Sequence, residues 1–387
     1  MNKSALTLGI DASNIISGGG MTHLSEFLRS ADPYKYGFHR VLIWGRKATL
    51  DQLDDSAWLE KVNPPLLERG QVFRLWWRFF SLGKLARKAS CSILYVPGGG
   101  YGGSFRPYTT MCRNMLPFEW NEAKRFGWSF LTIRYLLLRL SQSFDFKRAN
   151  GVIFLTNYAE DKVMKVIRQT YGPTVVIPHG ISPDFHKMPK KQFPIELFSR
   201  DKTFNMVYVS IVNVYKHQWN VVEAVSMLRG KGYPVTLKLI GPSHKGSLEK
   251  LNGVISALDP DSEFVTYAGS LPHSEISKIY EVSDLCIFAS SCENMPNILI
   301  EGMASGLPIA CSNRGPMPEV LGDRGAYFDP EDPETIARAL ESLIQSPTLR
   351  ADVAKKSHTR ALDLSWAKCS DNTLKFLSSV EKTFGKQ

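Results

Sequence analysis

Ser290-Ser-Cys-Glu-Asn-Met-Pro-Asn-Ile-Leu-Ile-Glu-Gly-Met-Ala-Ser-Gly-Leu-Pro308 is the stretch that decides the fold. The run before it, Leu285-Cys-Ile-Phe-Ala289, reads as a strand buried on both faces, and from Asn297 the chain reads as a helix capped by Asn297 and closed by Gly306. Strand, loop and helix in that order form the junction where parallel α/β sheets bind ligands. Glu293 falls in the loop and Glu301 one turn into the helix. Asn297 and Glu301, four apart, share a helix face. Free N–H groups at a helix start favour phosphate. A carboxylate beside a phosphate site finds its partner in ribose hydroxyls, so the junction suits a sugar nucleotide.

Working outward, apolar runs alternate with helical segments along all 387 residues, the pattern of parallel sheets covered on both faces. Strands are predicted at 6–9, 41–44, 92–96, 151–155 and 175–177, then at 206–211, 236–240, 264–267, 285–289 and 309–311. The fold class is α/β, with two doubly wound, Rossmann-like domains. Pro183, Pro189 and Pro194 with Lys187, Lys190 and Lys191 mark a composition shift that suits a linker. With 43% apolar and 22% charged residues the profile is globular. The cysteines Cys91, Cys112, Cys286, Cys292, Cys311 and Cys369 show no Cys-x-x-Cys spacing, and three lie in apolar runs, which points to reduced thiols and a cytoplasmic protein. Lys3 and the short run 5–10 suit a first strand rather than a signal peptide, and no apolar run is long enough to span a membrane.

Residues 1–200 carry 28 Lys and Arg against 15 Asp and Glu, and the rest carry 19 against 22, so the net charge of +10 belongs to one half. Much of it lies in 72–88 and 124–139, where aromatic side chains interleave with cations. That composition suits an anionic membrane surface, with the protein peripheral on the inner face of the cell membrane. It suits equally a pair of sheet-covering helices with an apolar core stripe and solvated cations. No recognised nucleic-acid-binding motif accompanies the charge, so no nucleic-acid partner is expected.

The quoted residues resemble the retaining glycosyltransferases of family 4, whose signature is Glu-x7-Glu followed by a small-residue Gly-Leu-Pro segment, here Glu293, Glu301 and Gly306-Leu-Pro308. The likeness continues through Pro318-Glu-Val320 and Gly325-Ala-Tyr-Phe-Asp-Pro330, and reaches back to Tyr267-Ala-Gly-Ser-Leu271 and Ile177-Pro-His-Gly180. It implies the GT-B architecture. Residues 1–182 would form the acceptor-side domain and 183–365 the nucleotide-sugar donor domain, with a linker at about 183–205 and a central cleft between domains. Residues 366–387 would form a helix crossing back to the first domain, with Leu374, Leu377, Val380 and Phe384 spaced for docking. The implied reaction is metal-independent, retaining transfer of a hexose from a nucleoside-diphosphate sugar, with no cofactor, to a glycan or lipid-linked acceptor, as in O-antigen and other bacterial surface polysaccharides. Two alternatives stand beside it. A sugar-nucleotide epimerase or hydrolase on the same fold would consume donor without an acceptor. A catalytically silent sugar-nucleotide-binding scaffold would bind donor and turn over nothing.

By the same resemblance, Glu301 accepts from the donor ribose and Glu293 holds the donor sugar. Backbone from Asn294 through Met295 and Pro296 to Asn297 binds sugar hydroxyls or diphosphate oxygens, and backbone at Leu271 lies by the base. Lys216 stabilises the leaving diphosphate. Family members carry an arginine a few residues earlier, yet 209–215 holds none. Either His217 assists Lys216, or Arg106, Arg113 or Arg314 fills the place. Gly18, Gly19 and Gly20 resemble the family's glycine-rich loop, although they form neither Gly-x-Gly-x-x-Gly nor a Walker loop. Gly98 to Gly103 suits a second flexible loop on the acceptor side or a plain turn. Relatives place a histidine on the donor sugar near 112–118, and here Asn114 is the choice. A one-face mechanism needs no Ser-His-Asp order or Gly-x-Ser-x-Gly elbow, and neither is present. Asp259-Pro-Asp261 reads as a turn rather than a metal site, and His179 as structural.

Overall fold

The computed structural model describes residues 5–385. Residues 1–4, Lys3 among them, and 386–387, at the outer ends of the expected domains, lie outside that range. The described chain forms two compact units, one of residues 5–120, 129–180 and 365–385, the other of 121–128 and 181–364.

The first unit is built on a seven-stranded sheet in the order β3-β2-β1-β4-β5-β6-β7. The strands are β1 Leu6–Asp11, β2 Phe38–Trp44, β3 Leu59–Val62, β4 Ile93–Val96, β5 Tyr108–Met111, β6 Gly151–Phe154 and β7 Thr174–Val176. Every pairing is parallel. β4, β5 and β6 are buried along their whole length, as central strands covered on both faces must be. The order reverses between β1 and β4, which puts the ligand crevice of such a sheet at their carboxyl ends. There the chain enters the helix Gly19–Arg29 through Gly18, whose φ of 64° and ψ of −157° belong to a region essentially restricted to glycine.

The helix Trp366–Phe384 also belongs to this unit. Ser370 Oγ donates to Phe27 O at 2.7 Å and Ser378 Oγ to Tyr36 O at 3.2 Å, while Leu374, Leu377 and Val380 are buried. Gly151 in β6 leaves room for it, since a Cβ there would stand 2.9 Å from both Phe376 and Val380.

The second unit carries a six-stranded parallel sheet in the order β10-β9-β8-β11-β12-β13, reversing between β8 and β11. Its strands are β8 Phe204–Val209, β9 Val235–Ile240, β10 Val265–Tyr267, β11 Leu285–Phe288, β12 Ile309–Ser312 and β13 Ala326–Phe328. All ten expected strands are present, with ends displaced by at most three residues. The segment after Ser182 whose composition suits a linker follows directly on the change of unit at 180–181, and it is pinned down. Lys190 Nζ donates to Glu281 O (2.8 Å) and Ser283 O (2.6 Å), and Ser277 Oγ donates to Asp184 O (2.7 Å). The fully buried Arg350 guanidinium donates to Leu343 O and Ile344 O, both at 2.6 Å, to Gln192 Oε1 at 3.0 Å, and to Phe193 O. The prolines hold the segment to two short helical turns, Pro183–Phe185 and Ile195–Leu197, without making it loose. Asp259 accepts from the N–H groups of Glu263, Phe264 and Val265, closing the turn into β10. All six cysteines are buried. Among the described residues no helix is long and apolar enough to cross a membrane.

Candidate functional site

The reversal point of the second sheet gathers two loops, one leaving β8 and ending at His217, the other leaving β11 and ending at Pro296. They lie side by side because β8 and β11 are neighbours. Ser291 N donates to Tyr215 O at 2.9 Å, and Ser290 Oγ and Ser291 Oγ reach the same carbonyl at 3.4 and 3.3 Å. Lys216 and Glu293 form an ion pair through Nζ and Oε1, with side-chain exposures of only 9% and 17%. The ammonium also lies 5.3 Å from the Tyr215 ring centroid and 5.4 Å from that of Phe288, within cation–π range. The two residues assigned by resemblance to diphosphate and to sugar thus hold one another in a shielded place.

Beyond Pro296 the helix Asn297–Ala304 starts without a side-chain cap. Here the structure corrects the sequence reading: Pro296 occupies the cap position, and Asn297 is the first helical residue, its N–H donating to Met295 O at 3.0 Å. Glu301 sits on this helix, 8% exposed. Its Oε1 lies 3.1 Å from His273 Nε2, whereas Oε2 has no hydrogen-bond partner among the described residues. Burial raises the Glu301 carboxyl above its ordinary range, with His273 pulling the other way. A buried carboxylate oxygen left without a donor is costly, and a hydroxyl-bearing ligand would satisfy it. His273 opens the helix His273–Val282, two residues after the half-buried Leu271. No motif in the sequence announced it. Asn294, Met295 and Pro296 are all buried between Glu293 and the helix.

Residues 121–128 pack with this unit and close one side of the β8 loop. Ser291 Oγ donates to Glu122 Oε2 at 2.6 Å, and His217 Nε2 lies 2.9 Å from the same hydroxyl. Arg125 pairs with Glu122 at 2.8 Å and with Glu331 at 2.5 Å. His217 is 2% exposed, and burial first, then Arg125, brings its pKa down to about 4. At that pKa the imidazole is uncharged at neutral pH, so beside Lys216 it could serve as a hydrogen-bonding group and not as a second cation. Of the arginines named as substitutes, Arg314 is paired with Asp329 at 2.6 Å, and Arg106 donates to Gly103 O and Phe105 O. Arg113 has neither an ion pair nor a hydrogen bond among the described residues.

Arg113 belongs to the first unit, where its guanidinium lies against Gly20. A Cβ on that residue would stand 2.6 Å from a terminal nitrogen. Of the three glycines only Gly18 is loop, because Gly19 and Gly20 are the first two residues of the uncapped helix. Asn114 is in the same unit, whereas Glu293 is in the other. Asn114 Oδ1 accepts from Leu116 N at 3.1 Å and so serves its own turn. His179 stacks 4.9 Å from His23 and 5.4 Å from Trp366, a buried aromatic packing cluster. The loop from Gly98 to Gly103 is held by Asp145, whose Oδ1 accepts from Gly102 N at 2.8 Å.

Residues 189–360 match the family model described as glycosyl transferases group 1. The chain is 20% identical over 247 residues to O-antigen chain mannosyltransferase B of Escherichia coli, covering 62% of this chain and 63% of that protein. It is 27% identical over 172 residues to the putative glycosyltransferase EpsD of Bacillus subtilis (strain 168), covering 44% of each. Each match thus spans less than two thirds of the relative. Solved structures align over nearly the whole chain. Sucrose-phosphate synthase from Thermosynechococcus elongatus gives a TM-score of 0.75 at 15% identity, covering 96% of this chain and 98% of that one. WaaG, a glycosyltransferase involved in lipopolysaccharide biosynthesis, gives 0.70 at 13%, covering 96% and 99%. Anabaena HepE, solved in complex with UDP-glucose, gives 0.66 at 16%, covering 97% and 100%. At such identities the likeness establishes fold alone: two parallel-sheet α/β domains of the GT-B class.

Proposed function

We propose that this chain is a retaining glycosyltransferase that takes a nucleoside-diphosphate sugar in its second unit and passes the sugar to a glycan or lipid-linked acceptor of a surface polysaccharide. The observation that carries the reading is Glu301: a buried carboxylate with one oxygen unpartnered, on a helix whose amino end has no side-chain cap. Ribose hydroxyls fit the first feature and diphosphate the second. Lys216 then lies between Glu293 and the phosphate, and Glu293 turns its second oxygen to a donor-sugar hydroxyl. In the transfer the bond from the anomeric carbon to the phosphate oxygen breaks on the face where the acceptor oxygen attacks. The acceptor proton passes to the departing phosphate, so no enzyme nucleophile is required. Lys216 and the helix N–H groups stabilise the charge that grows on the leaving diphosphate, so we read the reaction as metal-independent. Gly18 and Arg113, at the uncapped helix start of the first unit, offer a further anion-binding position. The family 4 resemblance, the mannosyltransferase relatives and the UDP complexes of HepE support this reading.

One observation favours a second reading, the catalytically silent binder: Lys216, Arg125 and Arg314 are each committed to a carboxylate. A panel of UDP-, GDP-, ADP- and dTDP-sugars tests both. Thermal stabilisation of the wild type by one nucleotide, lost in Glu301→Ala, supports the donor site, and donor consumption that depends on an added acceptor supports the transferase. Stabilisation with no consumption under any acceptor establishes the silent binder. No stabilisation by any donor refutes both readings.

A further inference from the structure

The helix Phe130–Arg148 has nineteen residues, and only Asp145 and Phe146 are buried. Phe130, Ile133, Leu137, Leu140 and Phe144 recur at steps of three and four, so they share one face, and all are exposed, Leu140 at 69% and Phe130 at 78%. The helix Gln71–Phe80 repeats the anomaly: it buries Trp77 and Arg78 and exposes Val72, Phe73, Trp76 and Phe80. Neither stripe is core, so the sheet-covering explanation does not account for these two helices, whereas the short helix Leu82–Lys88 between them in sequence does bury Leu82 and Ala86. Both helices are seated on the same loop. Asp145 of one accepts from Gly102 N at 2.8 Å. Arg78 of the other donates to Gly99 O at 3.4 Å and lies 3.3 Å from Asp11. The Phe79 ring fills the space a Gly102 Cβ would need, 2.2 Å away, and Gly102 has a φ of 69°. The polar sides are thus spent on the loop, and the apolar sides are left outward together.

Charge decides what covers them. Segments 71–88 and 130–148 contain nine Lys and Arg and one carboxylate, Asp145, which is buried. Lys84, Arg87, Lys88, Arg134, Lys147 and Arg148 are exposed. A protein partner's face of this kind would be depleted in lysine at its apolar centre and balanced by opposite charge at its rim. Apolar and aromatic side chains ringed by cations without an exposed carboxylate instead complement a bilayer whose headgroups are anionic, with long basic side chains reaching back to the phosphates. Neither helix can span such a bilayer. We infer that Gln71–Phe80 and Phe130–Arg148 form one face that lies in the headgroup region of an anionic membrane leaflet. This inference concerns the first unit alone and stands or falls independently of the donor site.

The experiment is flotation of the full chain with phosphatidylcholine vesicles, with and without phosphatidylglycerol, at low and high salt, with no nucleotide present. The wild type should float with the anionic vesicles at low salt and less at high salt. The triple variant Ile133→Ser, Leu137→Ser and Leu140→Ser should lose at least about a hundredfold in partitioning, from the apolar burial of three side chains. Its melting temperature should be unchanged, because those side chains are exposed. Arg134→Glu with Lys147→Glu should abolish the preference for the anionic lipid. A wild type that stays at the bottom of the low-salt gradient overturns the inference. So does a triple variant that floats like the wild type, and so does a stable dimer that ignores vesicles and is dissolved by the triple variant, which would make a second copy the occupant.

Discussion

Replacing Glu301 by glutamine should move binding and stability in opposite directions. Gln keeps the shape and can still accept from His273, but it removes a charge that burial already disfavours. The ligand-free protein should therefore be as stable as the wild type or more so, by up to about 1 kcal/mol. Donor affinity should fall, because a hydrogen bond to a charged acceptor contributes about 1.5–3 kcal/mol, or roughly 10- to 150-fold. At a donor concentration about 100 times the wild-type Kd, the wild type gains about 2.7 kcal/mol, and a variant with thirtyfold weaker binding gains about 0.9 kcal/mol. Thermal denaturation with and without donor reads both effects, and calorimetry with a ribose and a deoxyribose diphosphate isolates the hydroxyl: the twofold comparison should discriminate strongly in the wild type and little in the variant. A Glu301→Gln protein that binds donor like the wild type, or is about 2 kcal/mol less stable without ligand, would refute the assignment of Oε2 to a ligand hydroxyl.

Lys216→Met should cost about 3 kcal/mol in urea denaturation by stranding Glu293, and adding Glu293→Gln should restore most of that stability without restoring transfer. A single variant as stable as the wild type would show that the pair is not shielded. Donor affinity should decline as pH falls through the raised titration of Glu301, because the protonated carboxyl no longer accepts two hydroxyl bonds, and the decline should vanish in Glu301→Gln. For His217 the folded pKa of about 4 lies below the unfolded value, so the unfolded chain binds the proton first and stability falls as pH drops from about 6.5 toward 4, by at most about 1.4 kcal/mol per unit. His217→Asn should flatten that part of the profile. Gly18→Ala should cost about 1–3 kcal/mol, because the site is open but its backbone lies in a region essentially restricted to glycine.

The strands most legible in the sequence were those whose burial on both faces forces a continuous apolar run, such as Ile93–Val96 and Leu285–Phe288. β5 was not placed, because Tyr-Thr-Thr-Met looks polar until Thr110 Oγ1 is seen donating to Val96 O. β3 is a half-exposed edge with Glu60 and Lys61 inside it, and β13 is three residues long. The carboxylates of the candidate site were readable from their place at a strand-loop-helix junction. Their partners were not, because contacts between residues far apart in sequence leave no local trace: His273 meets Glu301 across 28 positions, and Glu122 meets Ser291 across 169. Composition likewise could not separate an apolar helix stripe packed on a sheet from one left exposed, since the two have the same spacing.

A ribosome makes this chain from the amino end, and domains commonly fold in that order. The first unit, however, is closed by the helix Trp366–Phe384, which follows every other described element of both units along the chain. Before it emerges, the groove over Gly151 that receives Phe376 and Val380 is bare, and Phe27 O and Tyr36 O lack their serine donors. Residues 181–364 are by then complete. The nascent protein thus passes through a stage in which its second unit can finish while its first still shows an uncovered apolar sheet face, and shortening the chain by that one helix would make the stage permanent.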